Sequence, residues 1–430
     1  VLGKGGQGKV WRVQSKDDGK FYAYKVYRHN KNNIRQNIEK LIEITKKGGF
    51  KDKDGSQLSE IIPPLGIVNL EGDSFGYIME LVDLGNYITL LDAWSGSKYP
   101  SCRAICRIIQ TFAGVFETLH LSYGMCYKDV NEGNIYFNPD TGDLKIIDND
   151  NVGYSDDYTI KGTSGYMAPE VVLGSKPNHN SDRFSLAVFV YRLLVGGRPF
   201  EGPYTRQYCE DNDILPDDAA EVIFGADPVF AWHPSDHRNS IVNETSPRSK
   251  SQVASWNNLP ESVKDLFINV FVTNLPPDRC AMRADSDKWI EVFRTLEENL
   301  VQCPSCGKFI FQGTEKCFEC SYNFTHKKHE AVLKVMSLGE DKREISIHSG
   351  EIFTGREISR HLPSKNYLRV LYNKQAHKIG VQNLSGCTWT LIHSDKTKED
   401  FRHGEIKALE AGMMIRIIPK KAQLNVISVY

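Results

Sequence analysis

Long apolar runs, cysteine and net charge are all scarce in this chain of 430 residues, and each scarcity excludes a class of protein. The best apolar stretch, Phe184 to Val195, falls well short of the ~20 residues that a membrane-spanning helix needs, and it carries Tyr191 and Arg192. No membrane partner is therefore expected. Lys and Arg number 53 against 54 Asp and Glu, so a global electrostatic footprint for nucleic acid is absent as well. Ten cysteines are too few for a disulfide scaffold, which favours a reducing, cytoplasmic setting. There is no secretory signal pattern, no internal repeat and no low-complexity segment. Val1 rather than Met opens the chain, so further N-terminal residues are expected before it. What is present is ample core material: 40% apolar and 10% aromatic residues, at a length suited to two to four domains.

Three textures follow one another. Residues 1–298 alternate strand-like and helix-like stretches. Val10 to Val26 reads as paired strands around Asp17-Asp18-Gly19. Ile34, Ile38, Leu41 and Ile42 recur at helical spacing, as do Ile105, Ile108, Ile109, Phe112, Val115, Phe116 and Leu119. Phe184 to Leu194 is apolar nearly all round and predicts a buried helix. Residues 299–325 are short and punctuated by cysteine. After the charged connector His326 to Glu330, residues 331–430 hold many short alternating segments, which predicts an all-β sandwich or barrel. The fold class expected is thus multidomain α+β.

The chain opens on Gly3-Lys4-Gly5-Gly6-Gln7-Gly8-Lys9-Val10, a GxGxxGxV pattern. Glycines bring backbone amides close to phosphate oxygens, although such turns are also common in proteins that bind no nucleotide. Here strand-like sequence follows, ending in Tyr22-Ala23-Tyr24-Lys25-Val26. A lysine buried on that strand needs a charge partner, and Glu39 and Glu43, about one helical turn apart on the next helix, are candidates, with Glu39 preferred.

Further on stand Tyr127-Lys128-Asp129-Val130-Asn131-Glu132-Gly133-Asn134, then Asp148-Asn149-Asp150, then Gly162-Thr163-Ser164-Gly165-Tyr166-Met167-Ala168-Pro169-Glu170, then Ser181-Asp182. In this order and spacing the set resembles the protein kinase family, across residues 1–298 (N-lobe 1–81, C-lobe 82–298). The resemblance implies a bilobal fold that binds ATP with magnesium or manganese. It implies that Asp129 orients the acceptor hydroxyl, that Lys25 holds phosphates against Glu39, and that Asn134 and Asp148 hold the metal. Gly3, Gly5 and Gly8 would cradle phosphates. Val10, Ala23, Met79, Glu80, Val82 and Tyr136 would surround the adenine. Asp182 would brace the catalytic loop, and Arg279 would pair with Glu170.

Four positions depart from the family. Tyr127 and Asn149 replace its His and Phe, two side chains that touch there, so the change reads as a paired repacking. Lys128 keeps the charge of the family's Arg without its fork geometry. Asp150 replaces a flexible Gly. Asn131 stands where the family has a Lys that neutralises the transferred phosphoryl group, and Asn carries no charge; Lys161 is a candidate substitute. Thr163 favours Ser or Thr as acceptor, and Ser155, Tyr158 and Thr159 are candidate autophosphorylation sites.

Cys303-Pro304-Ser305-Cys306 and Cys317-Phe318-Glu319-Cys320 form a CxxC pair, the spacing of a tetrahedral structural zinc site. Phe309, Phe311, Phe318 and Phe324 are expected to cover it. Redox cysteines and a rubredoxin-like iron are the alternatives. Residues 335–430 resemble a forkhead-associated (FHA) domain, through Phe353-Thr354-Gly355-Arg356, Ser364 to Leu368, Val381 to Thr388 and Leu409 to Ile417. That resemblance implies a phosphothreonine partner, read by Arg356, Ser364 and the Asn383–Ser385 loop; a β-sandwich used only for docking or regulation is the alternative. The whole implies a bacterial-type Ser/Thr protein kinase acting on protein hydroxyls, of a branch often accompanied by a cognate protein phosphatase. A nucleotide-binding pseudokinase scaffold and a small-molecule kinase are the competing readings.

Overall fold

The computed structural model describes the chain apart from residues 5–7, 28–31, 71–73, 156–161, 217, 276–282, 315, 318–319, 321, 323–329, 338–341, 360, 374–375, 377, 419–421 and 430, with backbone alone at 4, 32, 330, 346, 348 and 428. The described residues divide into two compact units, Val1–Glu298 and Asn299–Tyr430.

In the first unit, strands β1 (Gly3–Lys4), β2 (Gly8–Gln14), β3 (Phe21–Tyr27), β4 (Pro64–Asn69) and β5 (Phe75–Glu80) form one sheet in the order β1-β2-β3-β5-β4. The β2–β3 turn closes where the sequence placed it, with Gly19 at φ 70°, a conformation that side chains resist. Helix α1 (Asn32–Lys46) turns Ile34, Ile38 and Ile42 into a core shared with Ala23, Tyr27, Phe75, Tyr77 and Met79. Three further strands, β6 (Ile88–Thr89), β7 (Ile135–Phe137) and β8 (Leu144–Ile146), make a second small sheet that carries the loops of the site.

Helices dominate the remainder: α2 (Leu90–Trp94), α3 (Cys102–Ser122), α4 (Pro169–Val172), α5 (His179–Val195), α6 (Pro203–Asn212), α7 (Pro247–Asn257), α8 (Glu261–Ile268) and α9 (Ser286–Glu298). Helix α5 has no polar face along its second half, and it is buried accordingly. It starts at a capping box on Asn178 and stops at Gly196, whose φ of 81° leaves the helical range. Helix α9 is tied to α3 by Arg107 Nε to Glu297 Oε1 at 2.7 Å.

The second unit starts with the antiparallel pair β9 (Val301–Gln302) and β10 (Phe309–Ile310). The strands that follow are β11 (Glu330–Ser337), β12 (Arg343–His348), β13 (Ile352–Thr354), β14 (Asn366–Asn373), β15 (Lys378–Asn383), β16 (Trp389–Ile392), β17 (Lys398–Phe401), β18 (Ile406–Ala408), β19 (Met414–Ile418) and β20 (Ala422–Val429), with the short helix α10 (Gly355–Ile358) after β13. They form a six-stranded sheet, β12-β11-β20-β19-β16-β17, and a four-stranded one, β13-β14-β15-β18. Both contribute to a single core: Leu333, Leu391 and Leu424 from the first, Leu368, Val370 and Val381 from the second. Period-2 alternation decides which residues enter it.

Candidate active site

The glycine-rich opening is a strand pair, with Gly3 opposite Val10. Gly8 is obligatory: a Cβ there would lie 2.1 Å from the Val26 carbonyl oxygen. Gly5 lies outside the described residues. Ala23 and Met79 are buried in the sheet core, with Val10, Leu81, Val82 and Ile147 packed against them. Tyr136 is half-buried on β7, whereas Glu80 is exposed. Ile147 was not among the expected adenine neighbours; its place directly before Asp148 was the available signal.

Lys25 is buried on β3 and pairs with two carboxylates, Asp148 and Asp150, the latter at 2.8 Å from Nζ to Oδ2. Tyr27 Oη donates to the same Asp150 oxygen, and Tyr77 Oη donates to Asp148 Oδ1 at 3.3 Å. Burial pulls the Lys25 ammonium towards neutrality, but the two acids outweigh it and the net shift is upward. Burial, and then the nearby Asp148 charge, push the Asp150 carboxyl up to about 6.

Glu39, expected to face Lys25, does not. It is exposed and pairs with Arg35 at 3.2 Å, and Glu43 is exposed too. The reason is helical phase. With Ile34, Ile38 and Ile42 turned to the sheet, Glu39 stands about 100° further round and points to solvent. The polar residue that α1 does bury is Asn37, whose Nδ2 donates to the carbonyls of Asp150 (2.7 Å) and Val152 (2.8 Å). Sequence reasoning missed both Asn37 and Asp150 as members of the site.

The loop from Tyr127 to Asn134 is held from two sides. Asp182 at the start of α5 accepts from Tyr127 N (2.7 Å) and Lys128 N (3.0 Å), and meets His120 Nε2 at 2.9 Å. Asp129 Oδ1 accepts from Thr163 N (3.1 Å) and Oγ1 (2.9 Å), and Oδ2 accepts from Asn151 Nδ2 (3.2 Å). Burial raises the Asp129 carboxyl above the ordinary aspartate range, against the pull of the Thr163 hydroxyl. Lys128 and Asp148 sit at φ 72° and 59°, an uncommon left-handed conformation. Ile147 N donates to Asn134 O at 2.9 Å, which ties the loop carrying Asn134 to the residue before Asp148. An amide oxygen and a carboxylate so linked are the hard donors that magnesium takes.

The departures also find places. Asn131 Oδ1 accepts from Gly133 N at 3.0 Å and so closes its own loop. Lys128 Nζ donates to the Tyr154 carbonyl at 2.6 Å. Tyr127 packs on Phe112 and Phe116, while Asn149 Nδ2 donates to the Ile62 and Ile146 carbonyls at 2.9 Å each. Ser155 Oγ donates to Pro177 O at 2.7 Å; Tyr158, Thr159 and Lys161 lie outside the described residues. Glu170 is paired with Arg283. Two bonds of 2.6 and 2.9 Å join guanidinium and carboxylate in a buried fork, and Arg279 is outside the described residues.

In the second unit the ligand atoms of Cys303, Cys306, Cys317 and Cys320 all lie within 4.8 Å of one another, with Sγ–Sγ separations of 3.7 Å for Cys303–Cys320 and for Cys306–Cys317. A tetrahedron with ~2.3 Å metal–sulfur arms has edges of ~3.8 Å, so the quartet fits zinc. Val301 and Ile310 pack with the buried thiols of Cys303 and Cys317. Of the aromatic residues expected there, Phe311 is buried, Phe309 is exposed, and Phe318 and Phe324 lie outside the described residues.

Two of the residues expected in a phosphate cradle of the β module are turned inward. Asn383 and Ser385 are fully buried. Asn383 Nδ2 donates to the carbonyls of Cys387 (2.7 Å) and Phe401 (2.8 Å), and its Oδ1 accepts from Ser385 N and Oγ. Both side chains are consumed in shaping the loop. Arg356 on α10 and Ser364 are exposed.

With this geometry in view, the comparisons assign a class. The protein kinase domain model matches residues 1–289, about two thirds of the sequence, and the chain belongs to the protein kinase family. Family membership implies ATP and magnesium. Among similar proteins are cAMP-dependent protein kinase type 3 of Saccharomyces cerevisiae (27% identity, 49% of this chain and 51% of that protein) and mitogen-activated protein kinase kinase 2 of Arabidopsis thaliana (28%, 47% and 54%). Another is the serine/threonine-protein kinase pkn2 of Myxococcus xanthus (27%, 49% and 25%). The matched segment thus spans about a quarter to about half of these relatives' length.

Proposed function

We propose that the chain is an ATP-dependent Ser/Thr protein kinase that transfers the γ-phosphate to protein hydroxyls, itself included. The observation that carries this reading is the setting of Asp129: a buried carboxylate, fixed by Thr163 and Asn151 and braced from behind through Asp182. Thr163 aims one Asp129 oxygen and Asn151 the other, so the acid is oriented before any substrate arrives. A carboxyl with a raised pKa is a better proton acceptor than a solvated aspartate, and Asp129 takes the hydroxyl proton as the nucleophile attacks. Lys25 neutralises phosphate charge. Asn134 and Asp148 hold magnesium, whose charge offsets that of the phosphates. Gly3, Gly5 and Gly8 cover the phosphates. Val10, Ala23, Met79, Val82, Tyr136 and the backbone of Glu80 to Val82 hold the adenine.

One observation favours the pseudokinase scaffold as a second reading. Asn131 brings no charge, and its side-chain oxygen is already engaged by Gly133. The test is incorporation of labelled γ-phosphate in magnesium by the full chain, compared with Asp129→Ala and Asp148→Ala. Transfer lost in both variants supports the kinase; no transfer from a folded chain that binds ATP supports the scaffold. The cysteine quartet is read as a structural zinc ribbon. The β module is read as FHA-like, serving docking or regulation. A phosphothreonine-bearing partner there would meet the exposed Arg356 and Ser364, with Asn383 and Ser385 shaping the loop beside them, and a cognate phosphatase is the natural counterpart of such a pair.

A further inference from the structure

We infer that Asp150 is the positioning residue that holds Lys25 towards the nucleotide phosphates, in the place that an acid of helix α1 would otherwise fill. The inference rests on the reading of Lys25 as the phosphate lysine. A lysine buried to this degree must keep a counter-charge. Two carboxylates reach it, and they are unlike. The Asp148 side chain is 28% exposed, and the residue before it is tied to the Asn134 loop, so it is open to the magnesium ion that the proposed function assigns to it. The Asp150 side chain is 0% exposed, so neither solvent nor an incoming ion reaches it.

Three side chains from two elements converge on Asp150. Strand β3 supplies both Lys25 Nζ, at 2.8 Å from Oδ2, and the Tyr27 hydroxyl, which donates to the same oxygen. Lys25 and Tyr27 are two apart on that strand and share a face, so one carboxylate serves both. Helix α1 supplies Asn37, which grips the Asp150 backbone carbonyl at 2.7 Å and that of Val152 at 2.8 Å. Meanwhile the acids of α1, Glu39 and Glu43, face solvent. The helix therefore reaches Lys25 through the Asp148–Val152 loop, and a shift of α1 moves the magnesium ligand and the phosphate lysine together. The departure of Asp150 from a flexible glycine and the solvent-facing Glu39 are, on this view, one exchange.

The test uses the full zinc-loaded chain with Asp150→Asn, Tyr27→Phe, the double variant and Glu39→Gln. Each is followed by thermal unfolding, by calorimetric MgATP affinity and by kcat and KM for ATP. Asp150→Asn is expected to raise KM and lower kcat/KM for ATP by about ten- to a hundredfold, as misplacement of a phosphate-binding group does. Tyr27→Phe should give a smaller loss of the same kind, and the double variant no more than Asp150→Asn alone, since the two share one contact. A folded Asp150→Asn with kinetics within about twofold of wild type would overturn the inference, as would a loss appearing in Glu39→Gln instead. If Asp150→Asn does not fold, Tyr27→Phe decides: it keeps both charges, and an unchanged KM then counts against Asp150. If the wild-type chain transfers no phosphate, only the kinase reading fails, and the MgATP affinities of the same variants still decide the role of Asp150.

Discussion

Asp129 illustrates how much of this site depends on direction rather than on charge alone. Its two oxygens are aimed by three donors, and Asp129→Asn keeps the size of the side chain while removing the carboxylate proposed to take the proton. Phosphate transfer is expected to fall by about 10²–10⁴-fold with MgATP affinity retained, checked by transfer kinetics beside calorimetry. Glu170 and Arg283 make the opposite case, a charge pair with a purely structural consequence. Arg283→Met leaves a buried carboxylate without its fork, and a loss of about 3–5 kcal/mol in urea unfolding of the first unit is expected.

At the scale of elements, helix phase and strand period decide which of several plausible residues enters a site. Three isoleucines set the phase of α1, and that phase sends Glu39 outward and Asn37 inward. The loop after β15 behaves alike. Asn383 falls at a buried position and spends its amide on two carbonyls of that loop and of β17. Asn383→Ala takes the amide donor from the Cys387 and Phe401 carbonyls and the acceptor from Ser385 N, so the β module should lose on the order of 2–3 kcal/mol in denaturant unfolding. In the glycine-rich hairpin, Gly8→Ala forces a Cβ against the Val26 carbonyl. The strand must separate there, and the expected result is weaker MgATP binding, read by calorimetry, rather than a slower chemical step.

For the whole molecule, the described residues divide into two compact units, Val1–Glu298 and Asn299–Tyr430. The cysteine quartet belongs to Asn299–Tyr430, and the core around Lys25 draws on none of its residues. With the quartet read as a zinc site, treatment with a zinc-selective chelator is expected to unfold the β9–β10 segment, seen as lost hydrogen-exchange protection. MgATP affinity of the first unit should survive that treatment. Loss of nucleotide binding on chelation, with protection around β9–β10 intact, would show that the separation does not hold. Among the described residues no helix is long and apolar enough to cross a membrane.

Much of this was legible in the sequence because it depended on local order. The catalytic loop, the Asp148 segment, the Thr163 to Glu170 stretch and the CxxC pair are short motifs whose spacing survives folding. The β2–β3 hairpin and the buried helix α5 followed from periodicity and turn residues. What the tertiary structure alone decided were the pairings between distant segments. Lys25 meets Asp150 across 125 residues, and Glu170 meets Arg283 across 113. A sequence shows that a buried charge needs a partner. Which acid supplies it is settled only when helix phase, strand face and burial are satisfied together, because each candidate costs little in solvent and much in the wrong place inside.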